Sequence, residues 1–327
     1  MKLRALPLSR ANVDRSDALR ANSAGLDEMR ARAAFLIFDG EKFKVASAGD
    51  SSGSALSIIH DHAPNELRES YFLGLSREEN EQPYFLARVE QHPTSDQVVG
   101  SDAMSSDASV EWKTLREIGA QLSALEIGLA VHGQGLANWH TKHQHCPTCG
   151  AKTSPDFGGS IRRCTVDGSE HYPRTDPAII ILLRDNNDRI LLGRQRVWPE
   201  HRFSTFAGFV ETGESFEQAI HREVFEEASV EVDEIEYLGS QPWPFPASLM
   251  IAFQARIRNP EAARADETEI EEIRWFSRDS LKSEIDNGTL LLPPIISVAR
   301  AMIEAWYHEG VENVDRPPLP GSETWRP

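Results

Sequence analysis

Apolar positions along the chain fall into a few regular patterns. Two short runs, 33–38 (Ala-Ala-Phe-Leu-Ile-Phe) and 84–89 (Tyr-Phe-Leu-Ala-Arg-Val), predict strands. The Ser- and Asp-rich stretch 92–109 reads as a long loop. Leu115, Ile118, Leu122, Leu125 and Leu129 then recur at alternating steps of three and four, which predicts one amphipathic helix running towards Trp139. From Arg174 the pattern is that of an α/β unit. An apolar strand at 178–183 is followed by the turn Asp185-Asn186-Asn187-Asp188 and a returning strand at 189–193. A helix opens after Ser215, strands follow at 249–257 and 273–276, and a last helix is predicted around 298–304. The Pro-rich tail from Arg316 reads as loose.

A length of 327 residues predicts about two domains. Hydrophobic residues make up 40% and charged residues 26%, a globular composition rather than a disordered or fibrous one. Lys+Arg is 34 against Asp+Glu 51, a formal charge of −17. That charge argues against gripping DNA, RNA or an anionic membrane by bulk electrostatics. It leaves room for a small anion held by a metal or a few Arg, and Arg162, Arg163, Arg174, Arg194 and Arg196 are candidates for a local RNA path. No apolar run approaches the ~18–20 residues of a membrane helix. The first seven residues lack a sustained apolar core, so no secretory signal is expected, and the last five are not a peroxisomal address. Three Cys exclude a disulfide scaffold and fit a reducing cytoplasm.

The segment Gly208 to Val230 carries the most chemistry. Ser215 with Gln218 three residues on is a capping box for a helix start. Glu223, Glu226 and Glu227 then stand at i, i+3 and i+4, on one helical face. Crowded carboxylates repel unless neutralised, and hard oxygen ligands suit Mg²⁺ or Mn²⁺, which bridge pyrophosphate and activate water. Taken alone, such a triplet is more often a solvated acidic face.

The full spacing resembles the Nudix box: Gly208, five residues, Glu214, seven residues, then Arg222-Glu223-Val224-x-Glu226-Glu227-x-Ser229-Val230. The one departure is Ser229, where that family has a Gly ending the helix in a left-handed turn. The resemblance implies that Glu223, Glu227 and the Ala207 carbonyl are metal ligands. Glu226 is a further ligand or the base, and Arg222 orients the carboxylates. Downstream, Ser240-Gln241-Pro242-Trp243-Pro244-Phe245-Pro246-Ala247-Ser248 predicts a stiff loop presenting aromatic surface. The alternative is a loop packed on its own domain. This nonapeptide resembles the signature of the NADH pyrophosphatase family of Nudix hydrolases, some of which remove the NAD cap from RNA. That likeness implies that Gln241 through Ser248 bind substrate and that Phe209 and Trp243 stack on nicotinamide from opposite sides, Trp243 reaching the partner's pocket in a homodimer. It further implies that Tyr172, Ile180 and Ala299 line or touch the pocket, and that Glu269, six residues before Trp275, is the remaining metal ligand. The resemblance spans roughly 115–300.

Cys146-Pro147-Thr148-Cys149 is a CxxC knuckle, with Cys164 following and Asp167 where a fourth Cys would complete a ribbon. Zn²⁺ held by Cys146, Cys149, Cys164 and Asp167, or by one of His143, His145 and His171, stands against a site that folds without metal. His140, His143 and His145 otherwise read as surface or packing residues. The fold expected is α+β: a Nudix α/β/α sandwich with a mixed sheet, preceded by a small zinc-ribbon-like insert and an N-terminal α+β domain. The boundaries expected are 1–139 for that domain, 140–173 for the insert, 174–305 for the Nudix domain and 306–327 for the tail. The function expected is hydrolysis of NADH or NAD⁺ to nicotinamide mononucleotide and AMP with two to three Mg²⁺ or Mn²⁺ ions, and decapping of NAD-capped RNA. The rivals are a catalytically silent sensor of NAD(H) or ADP-ribose and a broader dinucleotide pyrophosphatase.

Overall fold

The computed structural model describes residues 1, 3, 6–46, 55–59, 69–77, 80–89, 110–310 and 319–320. The loop expected at 92–109 lies outside them, as does most of the tail from 316. The chain divides into two compact units: Met1–Ser9, Thr175–Trp243 and Ser248–Pro327 form one, and Arg10–Arg174 with Pro244–Ala247 form the other. The first nine residues thus join the unit expected to begin at 174. The boundary expected at 305 falls inside a helix that runs Val298–Tyr307.

The unit holding the carboxylate helix is built on a mixed six-stranded sheet. Its strands are β1 (Asp176–Arg184), β2 (Ile190–Gln195), β3 (Phe206–Phe209), β4 (Val232–Trp243), β5 (Ser248–Ile257) and β6 (Ile270–Phe276). The order is β4-β5-β1-β2-β6, with β3 also on β1. β1 and β5 pair in parallel from Asp176↔Ser248 to Arg184↔Arg256, and the other pairs are antiparallel. β1 is apolar at every central position because both faces are covered. Ile179, Ile181 and Leu183 pack with Ala219, Ile220, Val224 and Ala228 of helix α1 (Phe216–Ala228). Ile180 and Leu182 pack on the opposite face. Leu281 of α2 (Arg278–Asp286) and Val298, Ala299, Met302, Ile303 and Trp306 of α3 (Val298–Tyr307) cover that side. The layers are those of an α/β/α sandwich.

Two local expectations change. The stretch from Ser240 is not loop throughout: β4 continues to Trp243, paired with Ser248, and Pro244–Ala247 form its tip. Pro242 is tolerated in that strand because β4 is an edge, where a missing N–H costs no ladder bond. The helix expected from Leu115 is two helices, Leu115–Ile118 and Ala124–Lys142. Each has its own capping box, Thr114 with Glu117 and Ser123 with Glu126, so the second start wins over the continuous apolar period.

In the second unit, Ala34–Phe38 and Pro83–Arg88 are parallel neighbours in a mixed sheet. The cysteine segment is a small three-stranded antiparallel sheet of Thr153–Asp156, Ile161–Cys164 and Glu170–His171. His140 is a packing residue, stacked on Tyr71 at 4.1 Å between ring centres. It bonds the Gly159 carbonyl at 2.7 Å and Arg162 at 2.7 Å.

Candidate active site

β3 delivers the first residues of the site. Its register opposes Ile180 to Ala207, Ile179 to Gly208 and Ala178 to Phe209. Gly208 shares the face of Ile179 and so looks at α1. A Cβ at Gly208 would lie 1.9 Å from the Glu223 carboxylate, so glycine is required for that carboxylate to sit where it does. Phe209 stands 60% exposed.

α1 begins at Ser215 with both halves of the capping box formed and ends at Ser229, φ 57° and ψ 29°. The left-handed cap is therefore kept without glycine. Arg222 organises the helix's acidic side. Its guanidinium donates to Glu214 at 2.7 and 2.8 Å, to Glu223 at 2.8 Å, to Glu226 at 3.2 Å and to the Phe209 carbonyl at 3.0 Å. This pairing draws Glu214 down to about 2.

Glu227 is different. It is 4% exposed, and its Oε2 is buried without a hydrogen-bond partner. Burial, with Glu269, Glu223 and Asp266 nearby, pushes its carboxyl up to about 9, against a weaker opposing hydrogen bond from the Ala207 backbone. Glu223 is raised too, first by burial, although Arg222 opposes the shift. Glu269 enters just before β6. Gln195 donates to its carboxylate at 3.0 Å, and its N–H donates to Asp266 at 3.0 Å. Glu223, Glu227 and Glu269 therefore share one field, while Glu226, on the same helix, points to solvent and Arg222. A buried carboxylate with one oxygen unpartnered, set among others, fits a divalent cation, whose charge removes the penalty on its ionised form. Sequence reasoning missed Asp266, Gln195 and the Glu214–Arg222 pair. Asp266 was hidden in an acidic run (Asp266, Glu267, Glu269, Glu271, Glu272) in which no position stands out.

The expected substrate residues separate into kinds. Gln241 is fully buried, its Oε1 accepting from the Leu8 N–H at 3.0 Å and its Nε2 donating to the Ile296 carbonyl at 2.8 Å. Its amide is spent on internal bonds. Ile180 and Ala299 lie in one core cluster with Ala207 and Met250 against it, so their side chains pack inward. Trp243 and Ser248 close the β4–β5 ladder, with Pro242 opposite Leu249. Pro244, Phe245, Pro246 and Ala247 belong to the other unit, as does Tyr172, which is exposed and donates to Glu170 at 2.7 Å.

Among the described residues, the donor atoms gathered within 4.8 Å of one another are those of Cys146, Cys149, Cys164 and Asp167. The glutamates are not drawn together that closely. Cys149 Sγ is 3.5 Å from Cys164 Sγ, and Cys146 Sγ is 3.7 Å from Asp167 Oδ2. Ligand bonds of about 2.3 Å at tetrahedral angles separate sulfurs by roughly 3.8 Å, so these residues fit a zinc ion. The Val166 and Asp167 N–H groups point at Cys164 Sγ, both at 3.5 Å. Ser169 holds Asp167 Oδ1 through its N–H and hydroxyl, leaving Oδ2 to the cluster. His143 instead turns its ring to the Trp139 carbonyl.

The arginines considered for an RNA path are largely engaged. Arg162 is buried on Thr153 and His140, Arg163 pairs with Asp156 and Glu170, and Arg194 pairs with Glu271.

A sandwich with this carboxylate helix is the scaffold of a Nudix hydrolase, and a NUDIX domain model matches residues 174–293. An NADH pyrophosphatase zinc ribbon domain matches 142–172, and an NADH pyrophosphatase-like rudimentary NUDIX domain matches 31–139. The "NAD-capped RNA hydrolase NudC" of Mycobacterium bovis is 36% identical over 315 residues, 93% of this chain and 96% of its own. The protein of the same name from Mycobacterium tuberculosis matches equally, at 36% over 315 residues. Human "NAD-capped RNA hydrolase NUDT12" is 36% identical over 198 residues, 57% of this chain and 43% of that one. The chain belongs to the NADH pyrophosphatase family of Nudix hydrolases.

Proposed function

We propose that this chain hydrolyses the pyrophosphate bond of NADH and NAD⁺ to nicotinamide mononucleotide and AMP, and removes the NAD cap from RNA. The observation that carries it is Glu227, buried, with one carboxylate oxygen unpartnered and Glu223 and Glu269 beside it. The full-length relatives named for NAD-cap hydrolysis support the substrate. Two to three Mg²⁺ or Mn²⁺ ions on Glu223, Glu227, Glu269 and the Ala207 carbonyl would neutralise the pyrophosphate and lower the pKa of an attacking water. Arg222 keeps Glu223 and Glu226 oriented, and Glu226, partly in solvent, is placed to take the proton. Phe209 offers its exposed ring to one nicotinamide face and Trp243 the other, from the second subunit of a homodimer. Zn²⁺ on Cys146, Cys149, Cys164 and Asp167 would staple the segment 140–173 internally. Three cysteines are too few for a disulfide scaffold, which supports a reducing, cytoplasmic setting.

Glu227→Gln tests the mechanism. It removes a ligand charge while keeping the shape, and should lower kcat for NADH by at least about a hundredfold with the fold retained. Full activity in that variant, measured with Mn²⁺ present, removes the mechanism.

A further inference from the structure

The helix Ala124–Lys142 buries Ile127, Leu129, Ala130, Val131, Leu136 and Ala137. Gln134 lies in the same interior, 7% exposed, and its Oε1 is buried without a hydrogen-bond partner. A half-satisfied buried amide costs stability that an apolar side chain of the same size would not. What the amide gains is a single contact: Nε2 donates to the Pro244 carbonyl at 2.9 Å. Four residues on, and so on the same helix face, Asn138 Nδ2 donates to the carbonyls of Pro244 and Pro246, each at 3.0 Å. Arg116 holds its guanidinium 4.0 Å from the centre of the Phe245 ring, a cation–π contact.

The β4–β5 ladder ends at Trp243↔Ser248, and Pro244 and Pro246 have no N–H to close a turn. Three side chains from the N-terminal part of the chain therefore fix both carbonyls and the ring of the segment directly following Trp243.

We propose that Gln134, Asn138 and Arg116 are positioning residues that pre-form the aromatic loop, so that the N-terminal domain sets affinity for the nicotinamide end of the substrate. This rests on the reading that Trp243 stacks on nicotinamide. A loop ordered before binding removes an entropy cost from association. Losing that order weakens binding and leaves the metal carboxylates untouched, so it is read in KM and not in kcat.

The experiment compares three full-length variants in steady-state NADH hydrolysis with Mn²⁺: Gln134→Leu with Asn138→Leu, Asn138→Asp alone, and Trp243→Ala. Asn138→Asp keeps the side-chain shape, turns donors into acceptors facing two carbonyls, and serves if the double variant does not fold. The expected result is a KM raised about tenfold in the double variant and in Trp243→Ala, with kcat within about twofold of the parent. If Trp243→Ala raises KM while both positioning variants match the parent, the positioning role is overturned and the stacking reading stands. If the positioning variants lose kcat at unchanged KM, they act only through general stability and the proposal is overturned. If Trp243→Ala leaves KM unchanged, the loop does not read nicotinamide, and both readings fall together.

Discussion

Glu227 is folded into the sandwich against its own electrostatics. Its carboxyl moves from the ordinary 4.5 to about 9, through burial and then through Glu269, Glu223 and Asp266. In the metal-free protein the folded state keeps a proton that the unfolded chain has released. Stability attributable to this group is present below about 4.5 and falls as pH rises towards about 9. Cation binding displaces that proton, so affinity for Mg²⁺ or Mn²⁺ grows over the same window. The rise in thermal midpoint on adding Mn²⁺ should be larger near about pH 8.5 than near about pH 5.5. Equal rises would mean that Glu227 does not bind the ion. At the end of the same helix, Ser229 holds φ 57°. Ser229→Gly relieves the left-handed strain and should stabilise by up to about 1 kcal/mol in denaturant titration with kcat unchanged, and a loss of stability would contradict the strain. The helix carboxylates were legible from spacing because one helix face fixes their neighbours locally. Asp266 and Gln195 were not, because Gln195 reaches the site from the end of β2 and Asp266 from the loop before β6, and no local period marks them.

Among the elements, the zinc-ribbon segment and the aromatic hairpin show opposite degrees of legibility. Cysteine spacing announced the knuckle, and Asp167 falls into the fourth position because the turn that carries it is tied by Ser169. One zinc per chain is expected by atomic absorption. A chelator should lower the thermal midpoint, and Asp167→Ala should weaken zinc retention at least about tenfold. Zinc-free protein that melts identically with and without chelator would mean the segment folds without metal. The aromatic hairpin is loop only at 244–247 rather than throughout. Only the edge position of β4 explains a strand running through Pro242 to Trp243, and edge position is a property of the assembled sheet. The break after Ile118 is of the same kind in reverse: the apolar period continues across it, and the Ser123–Glu126 capping box decides.

Over the whole molecule, a net charge of −17 leaves no general attraction for RNA. Arg162, Arg163 and Arg194 are already committed to internal partners. A capped RNA is then expected to be recognised at its capped end and not along its body. KM for a short NAD-capped RNA should vary with salt about as weakly as KM for NADH, with a slope of roughly one phosphate contact or fewer. A loss of about a thousandfold between low and moderate salt would reveal a backbone-binding surface instead.

The most direct test of the account is a product assay. Purified protein is incubated with Mg²⁺ or Mn²⁺ and, in parallel, NADH, ADP-ribose and a short NAD-capped RNA, and the products are resolved by chromatography. The account predicts AMP and reduced nicotinamide mononucleotide from NADH, and nicotinamide mononucleotide with 5′-monophosphate RNA from the capped strand. Cleavage of ADP-ribose alone would show that the aromatic loop does not select nicotinamide. Tight NAD(H) binding without cleavage of any substrate would contradict the account and make the protein a sensor.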